Sequence, residues 1–77
     1  PFDNELDFEI YSAHSGRAEA ELIDASGKPV RKKTFGISSG SNKLSIDNTV
    51  SLPAGLYFLR VVSEGIVLQR RVMKQLR

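Results

Sequence analysis

The sequence predicts an all-β fold, an antiparallel sandwich of about seven short strands, and three observations carry that prediction. Apolar and polar residues alternate with period two along several short runs. Turn-forming Gly, Pro, Asn, Asp and Ser separate those runs at intervals of roughly 8 to 12 residues. No segment of useful length has the caps or periodicity of an amphipathic helix. Ala18 to Ala25 comes nearest, but its glutamates alternate with apolar residues at period two. A small open barrel competes with the sandwich for the same pattern.

The elements follow in chain order. Leu6-Asp7-Phe8-Glu9-Ile10 alternates apolar and acidic residues, the mark of a strand with one wet face. After a loop at His14-Ser15-Gly16, Ala18, Ala20 and Leu22 fall on one side of a second strand and Glu19 and Glu21 on the other. Asp24 to Lys28 reads as a tight turn in which Gly27 is free to take positive φ. Pro29 suits the start of a third strand, Val30 to Phe35, whose Arg31, Lys32 and Lys33 mark it as an edge. Gly36 to Asn42 reads as a Gly/Ser-rich loop, Lys43 to Asp47 as a short strand with Leu44 and Ile46 inward, and Asn48 to Leu52 as a brief extended piece. Pro53-Ala54-Gly55 then turns the chain into Leu56 to Val62, the segment densest in aromatic and β-branched residues. Tyr57, Leu59 and Val61 share one face of that strand. Ser63-Glu64-Gly65 reads as a hairpin turn, returning Ile66 to Gln75 antiparallel to it.

At 77 residues the chain has room for one domain with one thin core. Apolar residues at 40% and charged residues at 26% suit a folded domain better than a disordered tail. Pro1 in place of an initiator methionine reads as the start of a fragment or processed product, residues 1–77 being one domain cut from a larger exported protein. The apolar run Leu56 to Leu59, with Val61 and Val62 beyond Arg60, falls far short of the roughly 20 residues that span a bilayer, so no membrane-spanning segment is expected. The net charge of +2 conceals an asymmetry. Asp3, Glu5, Asp7, Glu9, Glu19, Glu21 and Asp24 precede Lys28 with Arg17 as their only base, and the later chain holds every other Lys and Arg against Asp47 and Glu64. Acidic early strands lying beside basic later ones account for this most simply, with a basic docking face as the alternative.

The inventory argues against an enzyme. Without cysteine there is no disulfide, thiolate nucleophile or Cys/His zinc site. His14 is the only histidine and sits in a Ser/Gly-flanked loop. Gly36 to Ser41 lacks the Gly-Lys-Ser/Thr ending of a phosphate loop, and no Gly-x-Ser-x-Gly elbow is present. Asp3, Glu5, Asp7 and Glu9 form a period-two row that fits a solvated strand face better than a calcium site. Neither a metal nor another cofactor is expected, and nucleic-acid binding lacks aromatics interleaved with bases. At the carboxy-terminal end, Arg70 and Lys74 alternate with Arg71 and Arg77, so these bases split between two faces of the last strand.

Three motifs, in order, give the chain a family resemblance. Leu22, Ile23, Asp24, Gly27, Lys28 and Val30 fit a hairpin pattern; Leu52, Gly55, Tyr57, Leu59 and Val61 fit L-x-x-G-x-Y-x-L-x-V; Gly65, Arg71, Val72 and Lys74 fit a closing basic strand. Together they resemble the carboxy-terminal sorting domain of type IX (Por) secretion cargo in Bacteroidetes, over nearly the whole chain. Of that family's Asn-Pro opening, Pro1 is present and the Asn is not.

The resemblance implies an immunoglobulin-like β-sandwich that serves as an address. It implies passage through the periplasm, recognition by components of the outer-membrane translocon, delivery to the cell surface or medium, and removal by a surface sortase. Signal or partner recognition is then expected from Gly55, Tyr57, Gly65, Arg70, Arg71, Lys74 and Arg77. The competing function is a carbohydrate-binding or adhesive β-sandwich, which usually needs an aromatic platform for which only Phe2, Phe35 and Phe58 are candidates. A purely structural terminal domain is the third possibility.

Overall fold

The computed structural model describes residues 2–75, and among them every regular element is a strand. In chain order these are β1 (Glu5–Ser12), β2 (Gly16–Asp24), β3 (Pro29–Ile37), β4 (Gly40–Asp47), β5 (Gly55–Ser63) and β6 (Ile66–Lys74). The strands pair antiparallel in two sheets, one ordered β1-β4 and the other β3-β2-β5-β6.

The alternation seen in the sequence decides which face each strand buries. Leu6 and Ile10 of β1, Ala18, Ala20 and Leu22 of β2, and Tyr57, Leu59 and Val61 of β5 form one core with Phe2, Ile37 and Ile46. Leu22 stands opposite Leu59 and Ala20 opposite Val61, so the small alanines alternate with larger β5 side chains beneath the β1-β4 sheet. The outer face carries the charge asymmetry as cross-strand pairs. Lys32 Nζ lies 3.6 Å from Glu19 and an Arg60 nitrogen 3.7 Å from Glu21. The Lys32–Glu19 pair is exposed and the Arg60–Glu21 pair partly so, and each contributes about 1 kcal/mol or less.

Two expectations are corrected. The Gly36 to Asn42 segment is largely strand, because Asn42 folds its amide back over the reversal: it accepts the Ser38 N–H at 3.0 Å and donates to the Ser38 carbonyl at 2.8 Å. With Gly40 at φ 101°, Ser38 and Ser39 suffice to turn the chain. The Asn48 to Leu52 segment is a turn rather than a strand. Asn48 takes φ 61° and the Leu52 N–H bonds to the Thr49 carbonyl at 3.0 Å, which leaves six strands among the described residues where about seven were expected.

The two sheets meet along one side and part along the other. On the β3/β4 side, Phe8 and Phe35 pack edge to face at 6.0 Å. Lys33 Nζ sits 5.2 Å over the Phe35 ring and reaches the Ser45 carbonyl, while Arg31 Nε donates to the Asn48 carbonyl at 3.0 Å. β3 is therefore an edge, as its bases suggested; Lys33 bridges to β4 and Arg31 to the turn after it, while Lys32 stays within its own sheet against Glu19. On the far side, among the described residues, β1 and β6 have no neighbouring strand between them.

Candidate functional site

The residues singled out for recognition lie on the β5–β6 hairpin or just beyond it. Its tip is a two-residue turn, since Ser63 pairs directly with Ile66 and both Glu64 (φ 52°) and Gly65 (φ 76°) have positive φ. That is the type I′ geometry, whose twist matches the flanking strands. Gly65 meets its requirement without strain; Glu64, with a Cβ, does not. At the other end Gly55 enters β5 at φ 141°, a conformation that L side chains rarely adopt.

Tyr57 and Lys74 are buried rather than displayed. Tyr57 is 4% exposed; its hydroxyl donates to the Pro53 carbonyl at 2.6 Å and its ring meets Phe2 edge-on at 5.9 Å. Lys74, also 4% exposed, sends its ammonium to Asp3 Oδ1 at 3.4 Å and to the Gln75 carbonyl at 3.3 Å. Burying an ammonium is costly unless it is paired and hydrogen-bonded, and both conditions are met. Phe2 completes this end of the hairpin by pairing parallel to Lys74, through bonds to the Met73 carbonyl and the Gln75 N–H.

A second polar tie joins the same region to the β4–β5 turn. Fully buried Thr49 donates its hydroxyl to the Asp3 carbonyl at 2.6 Å, and its N–H reaches the Asn4 carbonyl. The chain's entry, the β4–β5 turn and the end of β6 are thus held as one unit. Nothing in the sequence distinguished Thr49 from an ordinary turn residue.

Arg70 and Arg71 are exposed, and alternation separates them as expected. Arg70 stands opposite Leu59 on the core side of its sheet and Arg71 opposite Phe58 on the outer side. Gly55, Tyr57 and Lys74 come together at one end of the hairpin, Gly65 lies at the other roughly 30 Å away by strand rise, and the arginines lie between. Arg77 falls outside the described residues. Sequence reasoning missed the exposure of β6: Ile66 (62%), Val67 (51%), Leu68 (47%) and Met73 (51%) are all accessible. The signal was present, since three consecutive apolar residues at 66–68 break the alternation that covering one face would require.

At the β2–β3 turn, Asp24 Oδ1 accepts the Ser26 hydroxyl at 2.6 Å and the Ser26 and Lys28 N–H groups at 3.0 and 2.9 Å. The Ser26 hydroxyl first, and then the Lys28 N–H, hold this carboxyl below the ordinary aspartate value. The cluster is a turn-closing device. Among the described residues no group of His, Asp and Glu is arranged to hold a metal, and no helix is long and apolar enough to cross a membrane.

A family model for the secretion system C-terminal sorting domain matches residues 1–75. No curated protein and no solved structure matches the chain. The family match spans both sheets, the Asp24 turn and the hairpin bearing Gly55, Tyr57, Gly65 and Lys74. The chain therefore belongs to the Por-type secretion system C-terminal sorting domain family, the non-catalytic sorting signals of type IX secretion cargo.

Proposed function

We propose that residues 1–77 form a single terminal domain of a larger exported protein, which is recognised in the periplasm by components of the outer-membrane translocon and removed at the cell surface by a sortase. The observation that carries this reading is a family match running unbroken across the folded unit. On this account the domain is the sortase's substrate, and any catalytic activity resides in the cargo. The fold reads as an immunoglobulin-like sandwich. Support comes from Tyr57, near the start of β5, bonding back to the carbonyl four positions earlier, as the tyrosine corner of that fold does.

The recognition residues divide by role. Arg70 and Arg71 present charge to a partner, and Arg77 is assigned with them on sequence grounds. Gly55, Tyr57, Gly65 and Lys74 hold the hairpin in the shape that is read. The test is an exported reporter carrying residues 1–77, followed in type IX hosts with and without the surface sortase. Loss of the domain from surface reporter only in the sortase-competent host is the expected result; a domain retained in both, or trimmed in both, overturns the sortase step. Arg70→Glu with Arg71→Glu is expected to leave the reporter folded and periplasmic, and undiminished export would remove these side chains from recognition.

A further inference from the structure

Among the described residues, two strand edges lie unpaired on the same side of the molecule: β1 pairs only with β4, and β6 only with β5 apart from its single bridge to Phe2. Alternate N–H and C=O groups of β1 therefore point away from its sheet. Between the two edges runs a cleft of about 360 Å³, lined by Phe8, Leu59, Val61 and Leu68 among others. Leu68 pairs with Val61 and Arg70 with Leu59, so both face the core side of their sheet, and yet both are exposed. The β1-β4 sheet is too narrow to cover them.

The charges on the rims differ in sign. Glu5, Asp7 and Glu9 alternate along the outer face of β1; Ser45 and Ser41 hydroxyls bond to Glu5 and Glu9, and none of the three acids has an ion-pair partner among the described residues. Arg70 and Arg71, across the cleft, also lack one among those residues. This pattern disfavours a second copy as occupant. Pairing β1 with its own copy sets acids beside acids, and pairing β6 with its own copy sets arginines beside arginines. Reciprocal pairing of β1 with a second copy's β6 sets Arg71 beside the acids but leaves Arg70, on the core side of its sheet, facing Leu6, Phe8 and Ile10 with no carboxylate.

We propose that this open side takes up one extended strand of a partner polypeptide that adds to β1. Its inward side chains are aliphatic with one carboxylate for Arg70, and its outward side chains are Lys or Arg beside Asp7 and Glu9. The inference rests on the domain being a signal read by another protein, and it names the chemistry of the segment that does the reading. Main-chain bonds to β1 supply affinity, and the two rims supply selectivity.

The probe is a capped synthetic peptide of about eight residues, alternating Lys with Val and carrying one Glu among the inward positions, titrated into the 77-residue chain by NMR. Amide shifts and slowed exchange are expected in residues 6–10 and 68–72. Asp7→Lys with Glu9→Lys, at two exposed positions, is expected to weaken binding roughly tenfold, and a peptide with Glu in place of Lys to restore it. Absence of those shifts, equal binding to the variant, or the same shifts in the domain alone on concentration, which would make a second copy the occupant, each overturns the proposal. Export of a reporter fused to the unmodified domain separates the two readings. A peptide that fails to bind a domain that still exports its cargo refutes strand uptake alone, whereas failure of export in a competent host refutes the sorting function.

Discussion

Replacing Gly55 by Ala isolates one backbone conformation from every other effect. A Cβ built at Gly55 meets no heavy atom within 4 Å, so the substitution introduces no clash and removes no contact. Its cost is conformational, because φ 141° lies where an L residue is strained, and such strain amounts to about 1–3 kcal/mol. In a domain of this size each kcal/mol moves the thermal midpoint by about 4–8 °C. A fall of roughly 4–24 °C is therefore expected. Gly36 provides the control: it lies within β3, has no positive φ, and a Cβ there also meets nothing within 4 Å. Glycine inside a strand costs about 0.5–1 kcal/mol relative to Ala, so Gly36→Ala is expected to be neutral or stabilising. Thermal and urea melts of the two variants against the parent supply the comparison. Equal shifts in the two variants, or an unchanged midpoint for Gly55→Ala, would mean that φ at Gly55 does not set the cost.

Three further outcomes follow from neighbouring contacts. Glu64→Asn, which places a residue tolerant of positive φ in the type I′ turn, is expected to raise stability by about 0.5–1 kcal/mol in urea melts. Tyr57→Phe removes the bond to the Pro53 carbonyl and is expected to cost about 1 kcal/mol, with the strand content measured by circular dichroism preserved. Asp24, whose folded value is depressed, stabilises the fold above the ordinary aspartate value, and this stabilisation is lost as pH falls through the depressed one. Asp24→Asn should therefore flatten the acid limb of the stability profile, and a profile that still falls like the parent's would exclude that carboxyl.

The strands were legible wherever one face alone was buried. Leu6 to Ile10 and Ala18 to Leu22 alternate because the core lies on one side of each, and period-two patterning records that fact directly; Leu56 to Val62, apolar on both faces but for Arg60, was legible from its density of aromatic and β-branched residues. The acidic-early, basic-late asymmetry likewise anticipated Glu19–Lys32 and Glu21–Arg60. The Ser38–Ser39 reversal was hidden because its shape depends on the Asn42 side chain, and composition alone gives Gly- and Ser-rich segments the look of loops. Residue type could not show whether Lys74 is displayed or buried. Its fate is set by Asp3, 71 positions away in the chain. The open side escaped for a similar reason, since a cleft between β1 and β6 is a property of sheet width.

The central claim, that this domain addresses its cargo to the type IX route, is tested most directly by fusing residues 1–77 behind a reporter with an ordinary export signal. The fusion is followed in a Bacteroidetes host with an intact type IX system and in a translocon-deficient twin. Reporter is expected at the surface or in the medium of the intact host and in the periplasm of the deficient one. A folded fusion that remains periplasmic in both hosts, or reaches the surface in both, would contradict it.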